Sequence, residues 1–206
     1  MSYGWTPDTN VANFEGYGIL ADCSLAGYVP ALPPNQTQLT IPSNLDPEFL
    51  GLAFGVQNYT CSSSNSYTSV GAVGELIDVS CYVNASWFST IQDVLYPAWD
   101  ELSQSVTIQE VIDFVHLINP PANLAQHYFV PNPVTGQGLS PKWDFTSSGK
   151  FEGNPEAYVI GRVNGTLSSP DDPISKTAYY LSRLDGPYEL SRLRFLLNNH
   201  LPSLCT

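Results

Sequence analysis

The chain has 206 residues, 43% of them hydrophobic and only 13% charged, and nineteen Asp and Glu outnumber seven Lys and Arg to give a net charge of −12. That length suffices for one good-sized core. The acidic balance, with no cationic cluster, argues against nucleic acid, anionic membranes and phosphate-rich ligands as partners.

No apolar run reaches the roughly 18 residues that a membrane-spanning helix needs. The start, Met1-Ser-Tyr-Gly-Trp-Thr-Pro7, is polar and lacks the basic opening of a signal peptide. The rest nevertheless reads as a secreted chain from which a leader has been removed. Asn35, Asn58, Asn84 and Asn164 each head an Asn-x-Ser/Thr sequon, and N-glycans are expected there. An even set of cysteines, Cys23, Cys61, Cys81 and Cys205, suits an oxidising compartment. Three pairings are open to them. Cys61–Cys81 would close a hairpin, and Cys23–Cys205 would tie the chain ends together.

Taken in order, a single domain spans residues 1–206. Residues 1–50 hold Pro30, Pro33, Pro34, Pro42 and Pro47, which forbid long helices and central strands and predict an extended arm anchored by Cys23. Residues 51–81 predict a long hairpin. Leu52, Phe54 and Val56 alternate with Ala53, Gly55 and Gln57 at the period of a strand, and Gly55 marks a bulge or a close backbone approach. The return arm runs to Cys81 through Val70–Val79. Residues 82–119 predict two helices. The first is capped by Ser86, carries Trp87, Ile91, Val94 and Leu95 on one face, and stops at Pro97. The second opens on the capping box Thr107-Ile-Gln-Glu110, ahead of Val111, Ile112, Val115 and Leu117. Residues 120–206 predict strands at 126–130, 142–145, 156–163, 177–184 and 192–197. Turns are expected between them, one at Asn164-Gly165. The fold class is therefore mainly β: an antiparallel barrel or sandwich with a two-helix insertion.

Several of these stretches resemble one family. They are Gly55-Val-Gln-Asn-Tyr-Thr-Cys61, Val70-Gly-Ala-Val-Gly-Glu-Leu-Ile-Asp-Val-Ser-Cys81, Gln126-His-Tyr-Phe129, Pro141-Lys-Trp-Asp-Phe145 and the closing Cys205. The family is a secreted fungal and bacterial one known only as domain of unknown function 3455. The resemblance implies an extracellular β-rich domain and brings no established catalytic residues. Two stretches depart from the family pattern. An apolar Pro-Trp-Leu strand is replaced by Thr177-Ala-Tyr-Tyr-Leu-Ser-Arg-Leu184, and a Thr-Ala-Gly-Gly turn by Leu197-Asn-Asn-His-Leu-Pro-Ser-Leu-Cys205. Apolar wall positions have become Tyr, Arg and His, as expected if a structural barrel acquired a polar pocket.

No nucleophile elbow, phosphate loop or dinucleotide fingerprint is present, so no cofactor is expected. There is no C-x-x-C, and no histidine lies at ligand spacing from a cysteine, so no metal is expected either. Asp93, Asp100, Glu101 and Asp113 read as solvated helix positions more readily than as a glycosidase pair. His116, on an apolar-periodic helix, reads as structural. His127 is the best acid–base candidate, because imidazole titrates near neutrality and Asp144 is close in the pattern. Tyr179 and Arg183 on the departing strand complete the expected catalytic set. Tyr59, Tyr128, Trp143, Tyr158, Tyr180 and His200 are the expected substrate contacts, each joining apolar surface to a polar tip. These features predict a secreted, cofactor-independent enzyme that binds a hydrophobic, oxygenated small molecule. The reaction expected is acid–base-assisted dehydration followed by a hetero-Diels–Alder type cycloaddition. The fungal hetero-Diels–Alderases that join tropolones to terpenes offer an analogy without a motif match. The alternative is a carbohydrate-binding or cell-wall protein without catalysis, using exposed Trp and Tyr as a sugar platform. Homo-oligomerisation is left open.

Overall fold

The computed structural model describes residues 23–29, 35–37, 47–91, 95, 97, 101, 105–118, 122–168, 177–185 and 194–198, with side chains described as far as residue 162. Seven strands form one sheet: β1 (Gly51–Cys61), β2 (Tyr67–Asp78), β3 (Asn123–Pro131), β4 (Leu139–Asp144), β5 (Tyr158–Ser168), β6 (Thr177–Asp185) and β7 (Arg194–Asn198). Their order is β6-β5-β4-β3-β2-β1-β7. Every pairing from β1 to β6 is antiparallel, and β7 adds to the free side of β1 in parallel. The ladder does not close into a barrel, because β6 and β7 are its two edges. One complete helix is described, α1 (Ile108–Ile118).

The expected hairpin is β1–β2, and its first half is buried on both faces, which explains its unbroken apolar character. Gly55 answers to a close approach. It faces Gly74 across the pair, and a Cβ on either would meet the opposing backbone, the Val73 carbonyl or the Phe54 carbonyl. The register slips three residues further on, between Asn58 and Tyr59. At the base of the hairpin the Leu50 N–H donates to Ser80 Oγ and the Val79 N–H to the Leu50 carbonyl, each at 2.8 Å.

Cys81 does not close this hairpin. It pairs with Cys23, with the Cα atoms 5.0 Å apart. Cys61 is disulfide-bonded as well, and Cys205 lies outside the described residues. The reason is geometric. Cys61 sits at the tip of the hairpin, opposite Tyr67, whereas Cys81 lies beyond its base, where the arm returns. The bridge and the buried Leu25 thus anchor the arm.

In the helical region the capping box forms as expected. The Thr107 N–H donates to Glu110 at 2.8 Å, and the Glu110 N–H donates to Thr107 Oγ1 at 3.3 Å. The face of α1 departs from expectation: Ile112 is buried, but Leu117 is 79% exposed. The earlier segment begins as a 3-10 turn at Phe88–Thr90 with no side-chain cap, so Ser86 does not play that part. Pro97 and Glu101 both have helical backbone, and residues 98–100, on which the expected stop at Pro97 turns, lie outside the described residues. A proline's fixed φ is itself a helical value. Asn164-Gly165 is not a turn either. It lies inside β5, where the register passes from Val163 to Gly165 and leaves Asn164 as an extra residue, a bulge.

Residues opposite one another across a ladder share a face of the sheet. On one face Ala53, Leu76 and Ala125 line up across β1, β2 and β3, and His127, Trp143 and Val159 line up across β3, β4 and β5. With Leu124, Phe145 and Ala157 they make the main core. Trp143 is fully buried, and removing a side chain of that size would cost about 3–5 kcal/mol.

Candidate functional site

The other face of the sheet is polar where a core would be expected. One row crosses five strands: Phe54 on β1, Glu75 on β2, Gln126 on β3, Asp144 on β4 and Tyr158 on β5. The next row places Tyr128 opposite Lys142. Helix α1 lies over the β2 end and brings His116 down to Glu75.

Glu75 and His116 form a carboxylate–imidazole dyad. Nε2 lies 3.3 Å from Oε1, with the Glu75 side chain 1% exposed and that of His116 30% exposed. The pair is a close imidazole–carboxylate approach in which neither group has an aligned hydrogen bond among the described residues. Burial pushes the Glu75 carboxyl above its ordinary range. His116, and more weakly Gln126, oppose that rise without cancelling it. The result is a carboxyl held ready to take a proton, facing an imidazole that reaches solvent. This is the pairing that acid–base chemistry uses, with a sealed carboxylate orienting an accessible imidazole.

The Lys142 cluster beside it has a different character. Tyr128 Oη donates to Asp144 Oδ2 at 2.6 Å, and Lys142 Nζ donates to the same oxygen at 2.7 Å and to Tyr128 Oη at 3.1 Å. Thr146 donates its hydroxyl to Asp144 Oδ1 at 2.7 Å and its N–H at 3.2 Å. Burial alone would raise the Asp144 carboxyl, but these donors outweigh it and hold it at about 2. Burial, then the Asp144 carboxylate, moves the Tyr128 hydroxyl up. Lys142 also titrates high, because Asp144 and Tyr128 outweigh its burial. Lys142 further lies 5.4 Å from the Tyr128 ring centroid and 5.0 Å from that of Tyr158. Both Asp144 oxygens are thus engaged and the ammonium is neutralised. The cluster can position an oxygenated ligand through Tyr128 and Lys142, and it offers no ready base.

The residues singled out from the sequence separate into distinct places. Tyr128 and Tyr158 meet around Lys142. His127 and Trp143 lie on the opposite face, their rings stacked 4.6 Å apart. His127 is 5% exposed, and its Nδ1–H donates to the Lys142 carbonyl at 2.9 Å. Burial lowers its pKa to about 4, against a smaller upward pull from that carbonyl, so the imidazole is neutral at physiological pH. Tyr59 packs edge-on against Tyr67 at the hairpin tip, 6.3 Å between centroids. The backbone registers Arg183 with Gly161, Tyr179 with Thr166 and Tyr180 with Gly165. The side chains of Tyr179, Tyr180 and Arg183, and all of His200, lie outside the described residues. Asn35, Asn58 and Asn84 are exposed, as glycan acceptors must be. No group of three or more metal-ligating side chains occurs among the described residues, and no described helix is long and apolar enough to cross a membrane.

Glu75 was missed in the sequence although a signal was there. It is the one charged residue in the strand run Tyr67–Ile77, otherwise neutral and increasingly apolar. A carboxylate there must either face water or find a buried partner.

Fold and site together define a mainly β, disulfide-linked protein in which a helix sets a half-buried imidazole against a buried carboxylate of the sheet. The family model described as "Protein of unknown function (DUF3455)" matches residues 42–182, and the chain belongs to this family. No curated protein and no solved structure matches it. The analogy with hetero-Diels–Alderases therefore finds no support among known relatives.

Proposed function

We propose that this is a secreted, cofactor-independent enzyme that moves a proton on a hydrophobic, oxygenated small molecule. His116 is the general acid–base, Glu75 orients it, and Tyr128 with Lys142 contacts a substrate oxygen. The observation that carries the reading is the 3.3 Å contact between an accessible imidazole and a carboxylate sealed from water. In its narrower form the reaction is dehydration of a hydroxylated aromatic precursor. The base removes a proton, the hydroxyl departs as water, and the resulting diene adds to a second reactant held beside it. Holding two reactants in near-attack geometry supplies several kcal/mol without a nucleophile. For the architecture we propose the barrel-like form over the sandwich, because one sheet carries all seven strands and its edges β6 and β7 approach one another. The disulfides suit passage through an oxidising compartment.

The test incubates the purified protein with a panel of β-hydroxy ketones and ortho-hydroxybenzyl alcohols and follows loss of water by mass spectrometry. His116→Gln and Glu75→Gln should each slow turnover by about 100-fold or more, with thermal unfolding showing both variants folded. Equal rates in the three proteins, or no turnover of any panel member by the parent, would overturn the proposal.

A further inference from the structure

The covered face of the sheet holds a second buried polar side chain beside the dyad. The β2–β3 ladder slips between Leu76 and Ile77: Leu76 faces Ala125, Ile77 faces Asn123, and Leu124 is left over as an extra residue. Leu124 and Ala125 both enter the main core. The slip therefore turns Asn123 to the other face, together with Ile77 and with Glu75 two positions away on β2. Glu75 itself faces Gln126, so Asn123 is its diagonal neighbour, with the Cα atoms roughly 7–8 Å apart.

This corner is closed over. Helix α1 ends at Ile118, shortly before Asn123, and lies over β2. Leu52, opposite Ile77, clusters with Val79, and Phe88 and Ile91 pack on that pair. Asn123 is 0% exposed, and neither its Oδ1 nor its Nδ2 has a hydrogen-bond partner among the described residues. An amide in that state is rare, because each of its polar groups gives up hydration on folding. Both Glu75 oxygens also lack an aligned hydrogen bond.

We infer that Asn123 and Glu75 bind a water molecule beneath α1, and that Asn123 acts through it as a positioning residue, holding the carboxylate in line with His116. The groups on offer select the ligand. Amide hydrogens oppose a cation, and the Glu75 carboxylate opposes an anion. An alcohol has one proton to donate, whereas two acceptors wait here. Water has two. It can donate one to Asn123 Oδ1 while accepting from Nδ2, and the other to a Glu75 oxygen. Three hydrogen bonds are the ordinary complement of a buried water. The inference extends the acid–base reading, since it supplies the orientation that Glu75 needs and that no aligned protein donor gives it.

The test is water–protein cross-relaxation in the folded, isotope-labelled protein. The side-chain amide of Asn123 in the parent should show a cross-peak to a long-lived bound water. Oxygen-17 relaxation dispersion, which counts such waters, should give one fewer in Asn123→Leu. In that variant the Glu75 carboxyl, followed by its carbon-13 shift, should bind a proton about 10-fold more tightly than in the parent, because the charged form has lost a donor. A parent with no bound water at the Asn123 amide would overturn the inference, and that measurement stands even if the variant does not fold. An equal water count, or an unmoved Glu75 titration in a folded variant, would overturn it too. None of these readings uses a substrate, so they decide the inference separately from any turnover.

Discussion

Replacing His127 by Phe tests how far the burial of its imidazole sets the pH dependence of stability. In the folded chain its pKa falls from 6.5 to about 4. The folded state therefore refuses a proton that the unfolded chain accepts. A depressed pKa contributes stability that is complete above about pH 6.5 and is lost progressively as pH falls toward about 4. At roughly 1.4 kcal/mol per tenfold change in proton affinity, the whole effect is about 3 kcal/mol. Burial at 5% exposure means little of this is screened by solvent. Phe keeps the ring against Trp143 but forfeits the hydrogen bond to the Lys142 carbonyl, so His127→Phe should begin about 1–2 kcal/mol less stable at neutral pH. Urea denaturation at several pH values from about 7.5 to about 4 reads both quantities. The parent's midpoint should fall more steeply than the variant's, and the two curves should converge or cross near pH 4. With a denaturant slope of about 2 kcal/mol per molar, the difference is over 1 M in midpoint. Glu75 and Asp144 titrate alike in both proteins and cancel in the comparison. Parallel curves would refute the reasoning, because they would mean that His127 takes up protons in the fold as freely as in the unfolded chain.

The sign reverses at Glu75. Its raised pKa makes it a stabilising group below the ordinary carboxylate value and a cost as pH rises through the folded one. Glu75→Gln should thus raise stability at pH 8 by about 1–3 kcal/mol and change little below pH 4; a fall in melting temperature at pH 8 would show instead that the His116 contact outweighs burial. Removing the arm's bridge with Cys23→Ser and Cys81→Ser together reopens a loop with a sequence separation of 58. The chain-entropy relation puts the loss at about 4 kcal/mol, measurable as a drop in denaturation midpoint that reduction of the parent should match or exceed.

The strands were legible because their signal is local. Alternation and turn residues placed β1 through β7 within a few residues, and Thr107 with Glu110 marked the start of α1. What was not legible depends on which elements meet. The Cys23–Cys81 bridge joins the arm to the base of the hairpin, and no spacing rule prefers it to Cys61–Cys81. The bulge at Asn164 reads like a turn because both need a residue free of the ladder. The dyad was hidden for a similar reason. His116 lies on an amphipathic helix and Glu75 in an apolar strand, forty-one positions apart, and only the seating of α1 on β2 joins them. His127 stood out because Tyr128 is beside it and Asp144 is close in the pattern, yet alternation sends both to the other face.

The parallel docking of β7 beside β1 bears on the order in which the chain assembles. A segment near residue 52 waits for one near residue 194 before its second edge is covered. During synthesis the ladder from β1 to β5 and the bridge at Cys81 can form while the far end is still unmade. Until β7 arrives, Leu52-Ala-Phe-Gly-Val56 is an uncharged strand with an open edge, the kind of template that recruits other chains. Such late closure is slow, because a long loop must be brought together first. Folding yield should therefore be governed by the docking of β7, and the nascent protein is most vulnerable to aggregation in the interval before it docks.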